Sequence, residues 1–168
     1  MSMQTVPQLQ KIQPNKSNMK KYVMILVVMM MSAVSAHAFI DSYTINRDKL
    51  PETAQAMLDE HFPKAKVSMI KVDRHLLKKT DYDVKLTNGT KIEFSNKGEW
   101  KSVDCGKKAV PDALVPRTIK RHVEKNFSDS EITGLVKRNG GYDVSLSNGT
   151  KQRYDVLHQY KGVIESED

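Results

Sequence analysis

Two stretches of the chain, DYDVKLTNGTK at residues 81–91 and GYDVSLSNGTK at residues 141–151, decide the fold. Eight of their eleven positions are identical, and both alternate apolar with polar residues before an Asn-Gly pair. Alternation with a period of two is typical of a strand that buries one face. Asn-Gly between two such runs predicts a hairpin with a two-residue type I′ turn. The chain is therefore expected to contain two similar β-hairpins.

A helix is predicted upstream of each hairpin, beginning at Pro51 and at Pro116, because Leu50-Pro51 and Val115-Pro116 occupy matching places and proline is favoured at the first helical position. Apolar residues then recur at steps of three and four, which gives each helix one apolar face that a sheet must cover. These residues are Ala54, Met57, Leu58 and Phe62 in the first helix and Ile119, Val123 and Phe127 in the second.

Further strands are predicted before and after each hairpin, since short alternating runs bounded by turn residues flank both of them. The predicted fold class is α+β, with two tandem helix–β-meander repeats whose antiparallel strands carry the helices on one face. One sheet of six to eight strands and two abutting sheets fit the pattern equally well. The flanking strands are placed at about residues 66–73, 99–104, 131–137 and 159–164.

The chain is predicted to divide into a leader and one folded domain. Residues 1–38 read as an N-terminal extension and a cleavable signal peptide, with Met19 as an alternative start. Two lysines precede an apolar run that is short for a bilayer span, and small residues follow up to a cleavage site near Ala38. The alternative is a leader that stays uncut as a membrane anchor. Residues 39–168 would then hold repeat 1, about 48–105, and repeat 2, about 113–164.

The net charge of the chain and its predicted compartment limit the kinds of partner that it can have. The leader carries four lysines and no acid, so the formal charge of +7 falls to +3 over residues 39–168. This mixed charge and the predicted export both argue against nucleic acid as a partner. No cysteine stands at the start of the mature chain, so neither a lipid anchor nor, after cleavage, a membrane anchor is expected. We expect a periplasmic or secreted protein with a protein or peptide partner in the cell envelope.

Signatures of catalysis and of metal binding are missing from the sequence. Cys105 is the single cysteine, so no disulfide can form within the chain. The histidines form no HExxH pair, and the chain has no CxxC, GxSxG or phosphate-binding glycine loop. We therefore predict no catalytic residue, no metal site and no cofactor, and a protein that is not an enzyme.

Three aspartates in the repeated stretches suggest an acid–base site at first sight. Asp81 and Asp83 share one face of a strand, and Asp143 recurs in the second copy. However, the alternation places Tyr82 and Tyr142 on the core face. The aspartates then lie on the wet face, where ordinary solvated charge is the expected role.

The same residues resemble a known family. A helix begins with Leu-Pro and ends near Phe62-Pro63, a strand follows, and then come Tyr-Asp-Val-x-Leu-x-Asn-Gly-Thr-Lys and an aromatic ending such as Glu99-Trp100, all duplicated behind a leader. This is similar to the β-lactamase-inhibitor-like, PepSY-like family of exported bacterial proteins, over roughly residues 48–164. The resemblance implies an antiparallel sheet with helices on one side, and a binding or inhibitory role in the periplasm.

Two aromatic residues are candidates for contact with a partner. Trp100 and Tyr160 lie 60 residues apart, and aromatic side chains on an exposed sheet face offer large contact area for little lost entropy. The alternative is that both fill the core or an edge of the sheet. The predicted function is a non-enzymatic module that recognises a protein or peptide through the sheet face left open by the helices. A small-ligand-binding or signalling accessory to a membrane sensor is the alternative.

Overall fold

A computed structural model describes residues 42–73 and 80–164 of the 168-residue chain. The predicted leader, with its alternative start at Met19 and its cleavage site near Ala38, lies outside the described residues. The described residues belong to one compact unit.

Two ten-residue helices form where the sequence predicts them, α1 at Glu52–His61 and α2 at Arg117–Asn126. Each begins directly after its proline, one residue later than expected. Each also ends in the same way, because the N–H of Phe62 bonds to the carbonyl of Leu58 and the N–H of Phe127 bonds to that of Val123. The predicted apolar faces are buried except at Phe127, which is partly buried against the core.

In the described residues, nine strands form a single antiparallel sheet in which every strand pairs with its neighbours in sequence order. Short 3-10 turns at Arg47–Lys49 and Asp112–Leu114 precede the two helices. The strands are β1 Ser42–Thr44, β2 Val67–Asp73, β3 Asp81–Leu86, β4 Lys91–Phe94, β5 Trp100–Asp104, β6 Ile132–Arg138, β7 Gly141–Leu146, β8 Lys151–Tyr154 and β9 Tyr160–Val163.

The sequence left open whether one continuous sheet or two abutting sheets would form, and the structure has one sheet. The join is made by β5 and β6, where Ser102 pairs with Val136 and Val103 pairs with Leu135. The sheet has one strand more than the predicted maximum of eight, because the three-residue strand β1 adds to the edge of β2. Three residues are too few to show an alternating pattern, so β1 could not be predicted from the sequence.

The Asn-Gly hairpins form at the predicted places with a different turn. Gly89 has φ of +91° and Gly149 has φ of +86°, but neither asparagine has positive φ, so the predicted type I′ turns are wrong. In the first hairpin the Gly89 N–H bonds to the Leu86 carbonyl, and the Leu86 N–H bonds to the Thr90 carbonyl. This is a turn with one glycine in the left-handed region followed by a bulge. Asn88 instead accepts the Thr90 N–H with its side chain at 3.0 Å.

The core lies between the two helices and one face of the sheet. A row of paired residues crosses the strands on this face and is buried from β2 to β8. The buried residues of both helices belong to the same cluster, so the helices cover this face. The row consists of Ile70, Val84, Ile92, Val103, Leu135, Val144 and Gln152.

Candidate functional site

The opposite face of the sheet, here called the open face, carries two rows of mostly polar side chains. Cross-strand partners share a face, so each row follows directly from the strand register. One row consists of Tyr43, Lys71, Asp83, Glu93, Ser102, Val136, Asp143, Arg153 and Gly162. The other consists of Met69, Lys85, Lys91, Asp104, Gly134, Ser145 and Lys151.

A cavity of about 470 Å³, here called the first cavity, opens on this face over β2 to β5. It is open to solvent, and its wall combines three carboxylates with two lysines and the thioether of Met69, which is 38% exposed. Such a mixture suits a partner that brings both charge and a small apolar group. The lining residues are Met69, Asp83, Val84, Lys85, Lys91, Ile92, Glu93, Ser102 and Asp104.

Asp83 is a carboxylate of the first cavity whose ionisation is perturbed by its surroundings. Its side chain is exposed, yet the surrounding protein removes part of its hydration, and this desolvation raises the pKa of Asp83 above its ordinary value. Glu93, its direct cross-strand partner, raises the pKa further by charge repulsion, whereas Lys71 lowers it. The site around Asp83 therefore favours the arrival of a cation.

Lys101 supplies a local cation beside this group. The bulge between β4 and β5 brings its Nζ within 2.7 Å of Asp81 Oδ2 and 3.2 Å of Glu93 Oε1. Burial opposes the charged form of Lys101, but the hydrogen bonds to Asp81 and Glu93 outweigh it and raise the pKa of the ammonium. Lys101 thus holds two carboxylates together without reaching Asp83.

A second cavity, of about 270 Å³, lies over the ends of β6, β7 and β8. Its central feature is Asp143, only 9% exposed, which accepts hydrogen bonds from both Arg138 and Arg153. Burial opposes ionisation of this carboxylate, but the two guanidinium groups outweigh burial and lower the pKa of Asp143. The prediction of ordinary solvated charge is therefore wrong at Asp143, because the sequence pattern of one strand does not reveal the arginines on its neighbours. The lining residues are Arg138, Gly140, Gly141, Tyr142, Asp143, Arg153 and Tyr154.

Gly141 permits the close approach of strands that forms this second cavity. Its φ is +130°, and a Cβ atom there would stand 2.0 Å from the carbonyl oxygen of Tyr154. Only glycine fits, so the beginning of β7 can press against the end of β8.

Trp100 and Tyr160, the predicted partner-binding residues, lie on the face that the helices cover. Trp100 pairs with Phe94, is partly buried against the core, and has the ammonium of Lys137 3.6 Å from the centre of its ring. Tyr160 is 39% exposed and stacks on His122 of α2 at 4.6 Å. Neither residue joins the open-face cavities, and a partner-binding role for them stays a prediction.

A polar chain behind Tyr160 was not anticipated from the sequence. The Tyr154 hydroxyl donates to Gln152 Oε1 at 2.6 Å and is also hydrogen-bonded to Nδ1 of His122 at 2.8 Å. Burial first, and Tyr160 second, raise the pKa of Tyr154 to about 12. In the described part of the chain, Nε2 of the fully buried Gln152 has no hydrogen-bond partner.

Nucleophilic and metal chemistry find little support on these surfaces. Cys105 is buried, and this burial raises the pKa of its thiol, which disfavours the reactive thiolate. Among residues 42–73 and 80–164, no group of three or more histidine, cysteine, aspartate or glutamate side chains could hold a metal ion. Within the same two segments, no helix is long and apolar enough to cross a membrane.

Fold and site together define an α+β protein with one antiparallel sheet, helices on one face and a charged, indented open face. The chain belongs to the family described as "Putative beta-lactamase-inhibitor-like, PepSY-like", whose model matches residues 80–164. This confirms the family resemblance noted in the sequence. No curated protein matches the chain.

Solved structures agree with this family and extend over most of the chain. A "putative periplasmic protein of unknown function" from Bacteroides vulgatus is 32% identical, with a TM-score of 0.72, over 75% of this chain and 100% of its own. A second putative periplasmic protein from the same species is 35% identical, with a TM-score of 0.68, over 78% of this chain and 100% of its own. A "putative calcium-regulated periplasmic protein" from Bacteroides thetaiotaomicron is 31% identical, with a TM-score of 0.69, over 74% of this chain and 97% of its own.

Proposed function

We propose that this chain is a non-enzymatic periplasmic module that binds, and in binding can inhibit, a protein or peptide through the open face of its sheet. The observation that carries the proposal is the first cavity, which lies on the one sheet face that the helices leave uncovered. The periplasmic location is supported by the predicted leader and by the descriptions of the similar structures.

The chemistry of the first cavity favours a macromolecular segment. Its wall presents the acidic pair Asp83 and Glu93 beside the basic pair Lys85 and Lys91, with Met69 as an adaptable apolar contact. Charged pairs arranged in this way steer a partner and fix its register. An extended segment can lie in an open groove of this kind and match charges along its length, whereas a small apolar ligand would need an enclosed pocket.

The absence of an enzymatic role is part of the proposal. Glu93 of the first cavity and Asp143 of the second are held in ion pairs, and Cys105 is buried and lines neither cavity. The calcium regulation in the name of one similar structure stays a property of that protein.

We further infer that the chain consists of two tandem copies of one helix–β-meander unit. The register of β7 with β8 follows that of β3 with β4 at an offset of 60 residues, as Tyr82 with Phe94 and Tyr142 with Tyr154 illustrate. Duplication of a half-sheet places the two cavities on one continuous open face.

The test is affinity capture of a tagged protein from native periplasm and membrane fractions, comparing wild type with Ser102→Arg. Ser102 lines the first cavity, so an arginine there should obstruct it. Ser128→Arg is the matched control, since Ser128 is exposed in the loop after α2 and the change in charge is the same. We expect a stoichiometric partner with wild type and the control, and its loss with Ser102→Arg.

A partner retained by Ser102→Arg would contradict open-face binding. Capture of no protein by any form would favour the second candidate, a small-ligand or signalling accessory, which the volume of about 470 Å³ also suits. Native mass spectrometry of the purified protein would then identify a bound small molecule.

A further inference from the structure

One pair of corresponding positions on the open face, Glu93 and Arg153, carries opposite charge in the two halves of the sheet. Glu93 faces Asp83 across β3 and β4, whereas Arg153 faces Asp143 across β7 and β8. Both pairs lie in the same row of side chains and differ by 60 residues. The centre of the first cavity is therefore an acidic pair flanked by lysines, whereas the centre of the second cavity carries two arginines on one aspartate.

The second cavity holds its two guanidinium groups in a fixed orientation. Arg153 donates from Nε to Asp143 Oδ1 at 2.9 Å and from Nη2 to Oδ2 at 3.2 Å, and Arg138 donates from Nε to Oδ2. One buried carboxylate thus anchors two cations, which leaves a net positive charge. The arginine side chains remain 58% and 53% exposed.

The remaining N–H groups are suited to an oxyanion. Arg138 engages Asp143 through Nε, so its terminal amino groups are available to a ligand, as is one terminal amino group of Arg153. Guanidinium groups bind carboxylates through paired hydrogen bonds, and prior anchoring lowers the entropy lost on binding. The cavity of about 270 Å³ beside them has room for a carboxylate side chain.

The two charged centres are separated by a defined number of strands. Four strand steps lead from β3 to β7. At about 4.8 Å a step, the distance is about 19 Å along the row, which an extended peptide spans with about six residues.

We propose that the partner segment crosses the strands with a carboxylate in the second cavity and a lysine or arginine over the first, about six residues apart. This inference rests on the proposed function, because it names the chemistry of the segment that the open face receives. The opposite charges also fix the direction in which the segment runs.

A random library of twelve-residue peptides displayed on phage tests this inference against purified wild type, Arg138→Gln, Ser102→Arg and the control Arg121→Gln. Arg138→Gln leaves both Arg153 hydrogen bonds on Asp143, so the fold should persist, which thermal unfolding checks. Arg121 is exposed on α2, and its substitution makes the same change in net charge away from the open face.

We expect wild type and Arg121→Gln to select peptides with an acid and a base about six residues apart, and Arg138→Gln to lose the acidic preference. A selected peptide should bind Arg138→Gln about tenfold more weakly, since hydrogen bonds between charged groups are lost. Exchange of its glutamate for glutamine should weaken binding to wild type to a similar degree.

Three results would overturn the inference. If the selected peptides fail to bind Ser102→Arg but contain no acidic residue, the proposed charge pattern is wrong and the proposed function still stands. Recovery of no open-face peptide would sink the inference, while the native partner capture would still decide the proposed function separately. Acetate or inorganic phosphate binding as tightly as the peptide would assign the arginines to a free anion instead.

Discussion

At the scale of single residues, the same tripeptide, Tyr-Asp-Val, acquires different physical properties at its two occurrences. Asp83 faces Glu93 and has a raised pKa, whereas Asp143 faces Arg153 and has a lowered one. The alternation within each strand predicted the face on which both aspartates lie. It could not predict their charge environment, because this depends on residues ten positions away that the register brings opposite.

Asp143→Asn is expected to reduce stability at pH 7 by about 2 kcal/mol, because two arginines would lose their shared charged acceptor. The folded pKa of Asp143 is lowered, so its contribution is present above the unfolded pKa of about 3.9 and is lost as the pH falls through the folded value. Urea unfolding at pH 7 and near pH 2 measures this. A loss of equal size at both pH values would contradict the electrostatic account.

Asp83→Asn is expected to have the opposite sign. The folded pKa of Asp83 is raised, so its ionised form costs stability above that pKa, and the cost vanishes below the unfolded value of about 3.9. Because the side chain is exposed, we expect a gain of only ~0.5 kcal/mol at pH 7. The same urea series would refute this if the variant were less stable than wild type at pH 7.

His158 occupies the left-handed region, with φ of +60°, where the hairpin of the first half has Gly98. His158→Gly should therefore raise stability by about 0.5–1 kcal/mol, after allowance for the greater freedom of glycine in the unfolded chain. The imidazole also contacts the ring of Tyr142 at 5.3 Å. His158→Ala keeps the strained backbone and removes the contact with Tyr142, so it should lower the melting temperature. A higher melting temperature of His158→Ala would contradict a stabilising contact between His158 and Tyr142.

At the scale of elements, the hairpins depend on where glycine is required. The sequence predicted the turns at Asn88-Gly89 and Asn148-Gly149 but assigned them the wrong geometry. A single glycine with positive φ satisfies the backbone, while asparagine contributes a side-chain acceptor. The same two residues serve both kinds of turn, so the choice depends on the twist and bulge of the strands that follow.

Gly98→Ala and Gly89→Ala form a matched pair of variants that tests why glycine is required at each turn. Both glycines have positive φ, but a Cβ at Gly98 would lie 2.8 Å from the backbone nitrogen of Ala54, whereas one at Gly89 would meet nothing within 4 Å. Gly89→Ala should cost about 1 kcal/mol from backbone strain alone. Gly98→Ala should cost about 3 kcal/mol, because the start of α1 must also shift. If both variants lost the same free energy of unfolding in urea, the start of α1 would be able to shift without cost.

At the scale of the whole molecule, the two halves share one sheet and one core. The sequence predicted both helices, eight of the nine strands and the helix-covered face. Whether one sheet or two would form could not be predicted. The sheet is continuous because β5 of the first half pairs with β6 of the second, and the sequence of either half alone does not show this pairing. The candidate site was predicted only as a face, and its two cavities arise from cross-strand partners that are distant in sequence.

Leu135→Ala tests whether the shared core makes unfolding cooperative. Leu135 is fully buried in the second half and pairs with Val103 of the first. Its truncation should cost about 3 kcal/mol. Trp100, the single tryptophan, reports by fluorescence on β5 of the first half and on its contact with Lys137 of β6, and circular dichroism reports on all the strands. We expect the two transitions to shift together; a Trp100 transition that stays at the wild-type midpoint would mean that the halves unfold independently.

The two edge strands of the sheet, β9 and β1, affect how readily the protein aggregates. Strand β9 has four residues, a register shift beside Tyr160, and Gly162 with φ of +138°. At the other border of the sheet, β1 has three residues. Short, irregular edges are poor templates for a further strand. A nine-stranded open sheet would otherwise be prone to polymerise edge to edge, so we expect these two borders to oppose fibril growth when the protein is concentrated.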